Sequence, residues 1–163
     1  MSGNGGACLE EGLTLAEARA PREESRARFL RACHQGLALA CTNWGASYWA
    51  NGFDDVGSRQ CVTQVFEKTC AAKDRFGCSM ASRLLIELPR DRADVARGRS
   101  LLQDACNSYK GPPCRFLAYY MEQGRFGKPD RAEIVALMAR ACEGGDRGAC
   151  GAHATVAETF PHD

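Results

Sequence analysis

Cysteine is the residue in this 163-residue chain best equipped for chemistry, and eight of the ten cysteines are evenly spaced. Cys33/Cys41, Cys70/Cys78, Cys106/Cys114 and Cys142/Cys150 each enclose seven residues, and successive pairs begin 37, 36 and 36 residues apart. Paired thiols can oxidise to a disulfide or, as thiolates, hold a metal ion. Structural zinc sites place about two to four residues between paired ligands, so that a short knuckle aims both sulfurs at one ion. Seven residues rich in turn formers better suit a bridge between adjoining helix ends. Free buried thiols are the third alternative. We expect a disulfide in each pair, no metal site, and an oxidising compartment, because reducing compartments rarely hold so many cysteines in so short a chain. Cys8 and Cys61 stand apart. Cys61 is expected to be a buried free thiol, with a bond to Cys8 or to another molecule as the alternatives.

Few other residues have the spacing that catalysis requires. The three histidines, His34, His153 and His162, are isolated near turns or termini. The doublets Glu10-Glu11, Glu23-Glu24 and Asp54-Asp55 are neighbours in sequence, which point in different directions on a helix. Phosphate-cradling glycine loops, His-Glu-x-x-His and Cys-x-x-Cys-His are absent. None of Lys68, Lys73, Lys110 and Lys128 has a serine three positions earlier, so the Ser-x-x-Lys of a serine β-lactamase is missing too. The sequence thus points to no catalytic residue and no cofactor. Lys plus Arg total 21 against 20 acidic residues, and this balance argues against nucleic acid as a partner. Aliphatic runs such as Leu84-Leu85-Ile86 are far too short for a transmembrane segment.

The elements that position the cysteines follow from alignment on them. Phe29, Phe66, Leu102 and Met138 recur four positions before the first cysteine, and Ala32, Thr69, Ala105 and Ala141 directly before it. Arg28, Val65, Leu101 and Leu137 lie one position further back, and this periodicity predicts an amphipathic helix ending near the cysteine. Between the paired cysteines come Gly36, Gly77, Gly111-Pro112-Pro113, and Gly144-Gly145 with Gly148, expected to make the turn. A second helix is expected after the second cysteine, as over Thr42 to Asn51 or Arg115 to Gln123. Asp94 and Asp130 stand where a carboxylate can cap the following helix. Gly3 to Cys8 parallels Gly145 to Cys150, so the N-terminus is read as cutting through a turn of a longer array. A 36-residue helical hairpin cannot bury its apolar face alone and must stack on its neighbours.

Cys41 to Cys78 and Cys114 to Cys150 resemble the Sel-1-like repeat, an α/α relative of the tetratricopeptide repeat. Trp44-Gly45, Tyr48 and Asn51-Gly52 are similar to that family's first helix and turn. Phe29-Leu30-Arg31-Ala32-Cys33 and Met138-Ala139-Arg140-Ala141-Cys142 are similar to the end of its second. Ser82 and Ala118 depart from the glycine, and Leu85 and Met121 from the tyrosine. The cysteine pairs resemble its disulfide-rich branch, typified by the Helicobacter cysteine-rich proteins. The resemblance implies an all-α fold, an α/α solenoid of about four repeats with one disulfide each. Residues 1–163 would form a single array, with units near 6–40, 41–77, 78–113 and 114–149 and a terminal helix over 150–160.

That register implies a concave surface formed by positions one, five and eight after the second cysteine. The partner-binding residues expected there are Trp49, Arg83, Ile86, Arg115, Tyr119 and Glu122, because Trp, Tyr and Arg dominate interface energetics. Trp44 and Tyr48 are expected to be structural. The function expected is a non-catalytic protein-interaction module, secreted or periplasmic, gripping a peptide or partner protein. The alternatives are a β-lactam-binding or weakly β-lactamase-like cell-wall protein, and an inhibitor or immunity protein for a toxin or enzyme.

Overall fold

The computed structural model describes residue 14 and residues 22–50 and 56–151. Cys8 and the turn around it, and the terminal helix beyond residue 151, lie outside the described residues. Among the described residues seven helices follow in order: α1 Arg22–His34, α2 Ala38–Trp49, α3 Val56–Ala71, α4 Arg75–Glu87, α5 Arg92–Tyr109, α6 Pro112–Glu122 and α7 Arg131–Glu143. A further helical segment opens at residue 147, and no strand occurs among the described residues. Two compact units divide the chain, Met1–Ala81 and Ser82–Asp163. In the first unit α1 packs on α2 and α2 on α3; in the second, α5 packs on α6 and α6 on α7. No described helix is long and apolar enough to cross a membrane.

Three of the four turns close in the same way. Gly36, Lys73 and Gly145 adopt positive φ of 90, 68 and 84°. Each stands three residues after the first cysteine. The amide of each bonds to that cysteine's carbonyl at 2.9 Å, and the following amide bonds five residues back at 3.0–3.3 Å. These paired bonds satisfy the carbonyls that a helix end would otherwise leave bare. In the remaining turn α5 runs on through Tyr109, and the reversal is made by Lys110 and Gly111, at φ 52 and 59°. Pro112 then begins α6, where its missing N–H costs nothing.

The chain departs from the expected pattern in three places. Gly77 is not a turn breaker: it is the third residue of α4, buried, and the chain reverses at Lys73 instead. Second helices also start three or so residues earlier than expected, at Ala38 and Pro112, so Cys41 and Cys114 lie inside their first turn. Asp130 caps α7 as expected, accepting from Glu133 N at 3.2 Å. The cap of α5 is Asp91, which accepts from Asp94 N at 2.9 Å. Asp94 is buried and serves another purpose: it accepts from Arg90 N, Nε and Nη2 at 2.8–2.9 Å and from Arg97 at 3.3 Å. These bonds, the side-chain bond from Arg90 foremost, outweigh burial and pull its carboxyl down to about 2.

The core repeats with the cysteines. The residue before each first cysteine, Ala32, Thr69, Ala105 or Ala141, is buried. So is the small residue four positions after the second: Gly45, Ser82 and Ala118. Small size is needed because a large side chain fills the space opposite. A Cβ on Gly45 would come within 2.7 Å of Phe66 Cε1, and Phe66 is fully buried. Burying such a ring contributes roughly 2–3 kcal/mol.

Candidate functional site

Four disulfides close the four hairpins: Cys33–Cys41, Cys70–Cys78, Cys106–Cys114 and Cys142–Cys150, with Cα–Cα distances of 4.3–4.6 Å. Cys106 and Cys114 are each 0% exposed, whereas both members of the first and fourth pairs are only half-buried. Cys61 on α3 forms no disulfide and is exposed, which corrects the expectation of a buried thiol. Position explains it: Cys61 adjoins Val62, and that neighbour, not the thiol, faces the core. No group of three potential metal ligands occurs among the described residues.

The residues expected to bind a partner fall into three situations. Ile86 is enclosed at 0% exposure, packed against the close approach of Gly98, and no partner can reach it. It leaves the set: the interval counted from the second cysteine places it on the core side of α4. Arg83 and Arg115 are half-buried and fixed from two sides. Arg83 Nε donates to Glu87 Oε1 at 3.3 Å, and its guanidinium lies 5.1 Å from the Phe116 ring centroid. Arg115 Nε donates to Asp146 Oδ2 at 2.7 Å, with its guanidinium 4.8 Å from the same ring. Tyr119 and Glu122 are exposed, Tyr119 at 48%, with the Tyr119 ring edge-on to Tyr120 at 5.3 Å.

Two oriented guanidiniums therefore lie against one aromatic ring, Phe116, one turn of α6 away from an exposed tyrosine. The supports lie below it. Tyr120 is buried and donates its hydroxyl to Glu87, the carboxylate that also holds Arg83. Burial first, then Glu87, pushes the Tyr120 phenol well above its ordinary range, so it remains a donor. At Asp146 burial acts to raise the carboxyl. The hydrogen bonds from Arg115, Ala149 and Gly148 and the Arg115 charge prevail and hold it below the usual range. Phe116, Glu87, Tyr120 and Asp146 escaped sequence reasoning. Asp146 left a signal, because Asp74 occupies the same position, four residues after a first cysteine.

In the first unit Trp49 ends α2 and is half-buried. Trp44 and Tyr48 pack ring to ring at 5.0 Å. Arg26 of α1 lies 4.2 Å over Tyr48 and donates from Nη2 to Ser47 O at 2.8 Å. These contacts join the two helices of the hairpin, a structural task.

What the arrangement defines is an all-helical repeat protein with a disulfide at every hairpin turn and a cationic, aromatic helix face. No family model matches the sequence, and no curated protein matches it. Solved structures do. The Sel1 repeat protein from Oxalobacter formigenes superposes with a TM-score of 0.72 at 17% identity, over 90% of this chain and 60% of that one. A protective antigen present in uropathogenic Escherichia coli strains, which displays an SLR fold, gives 0.65 at 17% identity, over 94% of this chain and 33% of that one. This chain thus spans between a third and three-fifths of the length of those proteins. The likeness establishes the Sel1-like repeat fold, and the four bridged turns are the feature the cysteine-rich branch implied.

Proposed function

We propose that the protein is a non-catalytic interaction module of an oxidising compartment, secreted or periplasmic. In the second unit it binds a peptide or partner protein on the face carrying Arg83, Arg115, Tyr119 and Glu122. Trp49 on α2 is the corresponding contact in the first. The observation that carries this reading is the pair of guanidiniums held against Phe116 beside the exposed Tyr119. Their orientation is set before any partner arrives, which lowers the entropic cost of binding. Repeat folds of stacked helical hairpins present extended surfaces of this kind.

The test is affinity capture from the host's envelope fraction, comparing the oxidised wild type with a Trp49→Ala/Tyr119→Ala double variant. A partner retained by the first and lost from the second, at equal helicity, supports the assignment. Equal retention by both would sink it.

A further inference from the structure

The second unit carries an uneven charge at the end where α5 and α7 begin. Arg92, Arg99, Arg125, Lys128 and Arg131 are all exposed there. Arg92 and Arg99 are seven residues apart on α5 and so share a face. The Arg99 guanidinium lies 5.2 Å from the ring centroid of Phe126, in the connection between α6 and α7. That contact brings the Arg92–Arg99 face against the segment that carries Arg125 and Lys128. Among the described residues Arg92, Arg125 and Lys128 form no ion pair. Arg90 and Arg97, by contrast, are committed to Asp94. Asp91 and Asp130 each use one carboxylate oxygen to hold a helix start and keep their charge; with Asp94, Glu122 and Glu133 they make five acids against seven basic side chains at this end.

We propose that this end of the second unit docks a carboxylate-rich segment of a partner protein. The chain as a whole carries a formal charge of only +1, so attraction for an anion must arise locally. Arginine outnumbers lysine on the surface, and its planar fork pairs with a carboxylate through two parallel bonds. Stacking on Phe126 holds one such fork in place. A membrane surface is the weaker match: Leu88 is the one large apolar side chain well exposed near this end, too little to insert. The surface is distinct from the Arg83–Tyr119 face and does not depend on it.

The experiment measures fluorescence anisotropy of a labelled Asp/Glu-rich peptide with the oxidised protein at low and high salt. Binding should weaken with salt. It should fall by at least about tenfold in Arg92→Ser/Arg99→Ser/Lys128→Ser. Arg31→Ser/Lys68→Ser/Arg75→Ser removes the same charge from the first unit and should leave affinity unchanged. Arg92→Lys/Arg99→Lys/Arg125→Lys, which keeps charge and fold, should weaken binding about threefold. No binding at low salt, equal losses in the two serine variants, or full affinity in the lysine variant would each overturn the proposal. So would tighter binding to anionic phospholipid vesicles than to the peptide.

Discussion

The same slot couples consecutive turns in both units, and the two units fill it with different chemistry. In each, the residue after a second cysteine reaches the aspartate four positions after the next first cysteine. In the first unit Thr42 Oγ1 donates to Asp74 Oδ2 at 2.5 Å and lies 2.9 Å from Thr69 Oγ1, whose own proton is available to Phe66 O at 3.0 Å. Thr42 and Thr69 are both buried. In the second unit the slot holds the Arg115–Asp146 ion pair, with the arginine 38% exposed. Around it Lys110 pairs with Glu143 at 3.0 Å, and Arg140 Nη2 donates to Cys106 O at 3.3 Å. Both aspartates also cap the helix they begin: Asp74 accepts from Phe76 N and Gly77 N, and Asp146 from Ala149 N. One backbone geometry thus tolerates a buried hydroxyl donating to a half-buried aspartate or a half-exposed arginine paired with a buried one. The first joins turns through a hydroxyl that cannot be left unpaired, and the second through a charge pair in which water reaches the arginine but hardly the carboxylate.

Reduction is the largest perturbation of this contrast. Each bridge closes a loop of about nine residues and contributes roughly 2.5 kcal/mol on a chain-entropy treatment. Excess reductant should therefore lower the melting temperature by tens of degrees. Timed alkylation should show Cys33–Cys41 and Cys142–Cys150 opening before the enclosed Cys106–Cys114. Next in size, Thr42→Val strips a buried network of its donor and should cost about 2–3 kcal/mol in denaturant melts. Arg115→Met leaves the buried Asp146 carboxylate without its cation and should cost about 2–3 kcal/mol, less as acid protonates Asp146. An Arg115→Met cost that stays constant as pH falls through the Asp146 titration would erase the distinction between the units.

Acid should separate the units further. Asp94 titrates near 2 in the fold, against 3.8 when unfolded. A depressed carboxylate contributes stability that is complete above the unfolded value and disappears as pH falls through the folded one. Asp94 therefore loses roughly 1–2 kcal/mol of stabilisation between about pH 4 and pH 2, and Asp146, lowered too, adds to it. Hydrogen exchange on lowering the pH should accelerate in α5 and the Asp146 turn before α1 and α2. The smallest effect is expected at Lys73. Lys73→Gly puts glycine where two sibling turns already have it and should stabilise by about 1 kcal/mol.

The sequence showed most clearly what repeats. Cysteine spacing gave the register, the hairpins, the buried small residues before each first cysteine and the bridges. It failed where one repeat departs from its siblings. Glycine usually marks a turn, which makes Gly77 look like a breaker, yet a lysine takes the left-handed position and the glycine serves close packing beside Thr69. Counting from the cysteine puts Ile86 on the binding face, although α4 turns that position into the core. Arg115 was legible as a surface arginine but not as the partner of Asp146, a contact between residues 31 apart that no local pattern announces.

One staple per hairpin holds this fold, and peptide mapping by mass spectrometry without reduction tests that most directly. Native protein alkylated before digestion should yield four cross-linked peptides, Cys33–Cys41, Cys70–Cys78, Cys106–Cys114 and Cys142–Cys150, with Cys61 carrying the alkyl label. A bond joining two different hairpins, or a Cys61 that resists alkylation in the folded protein, would contradict it.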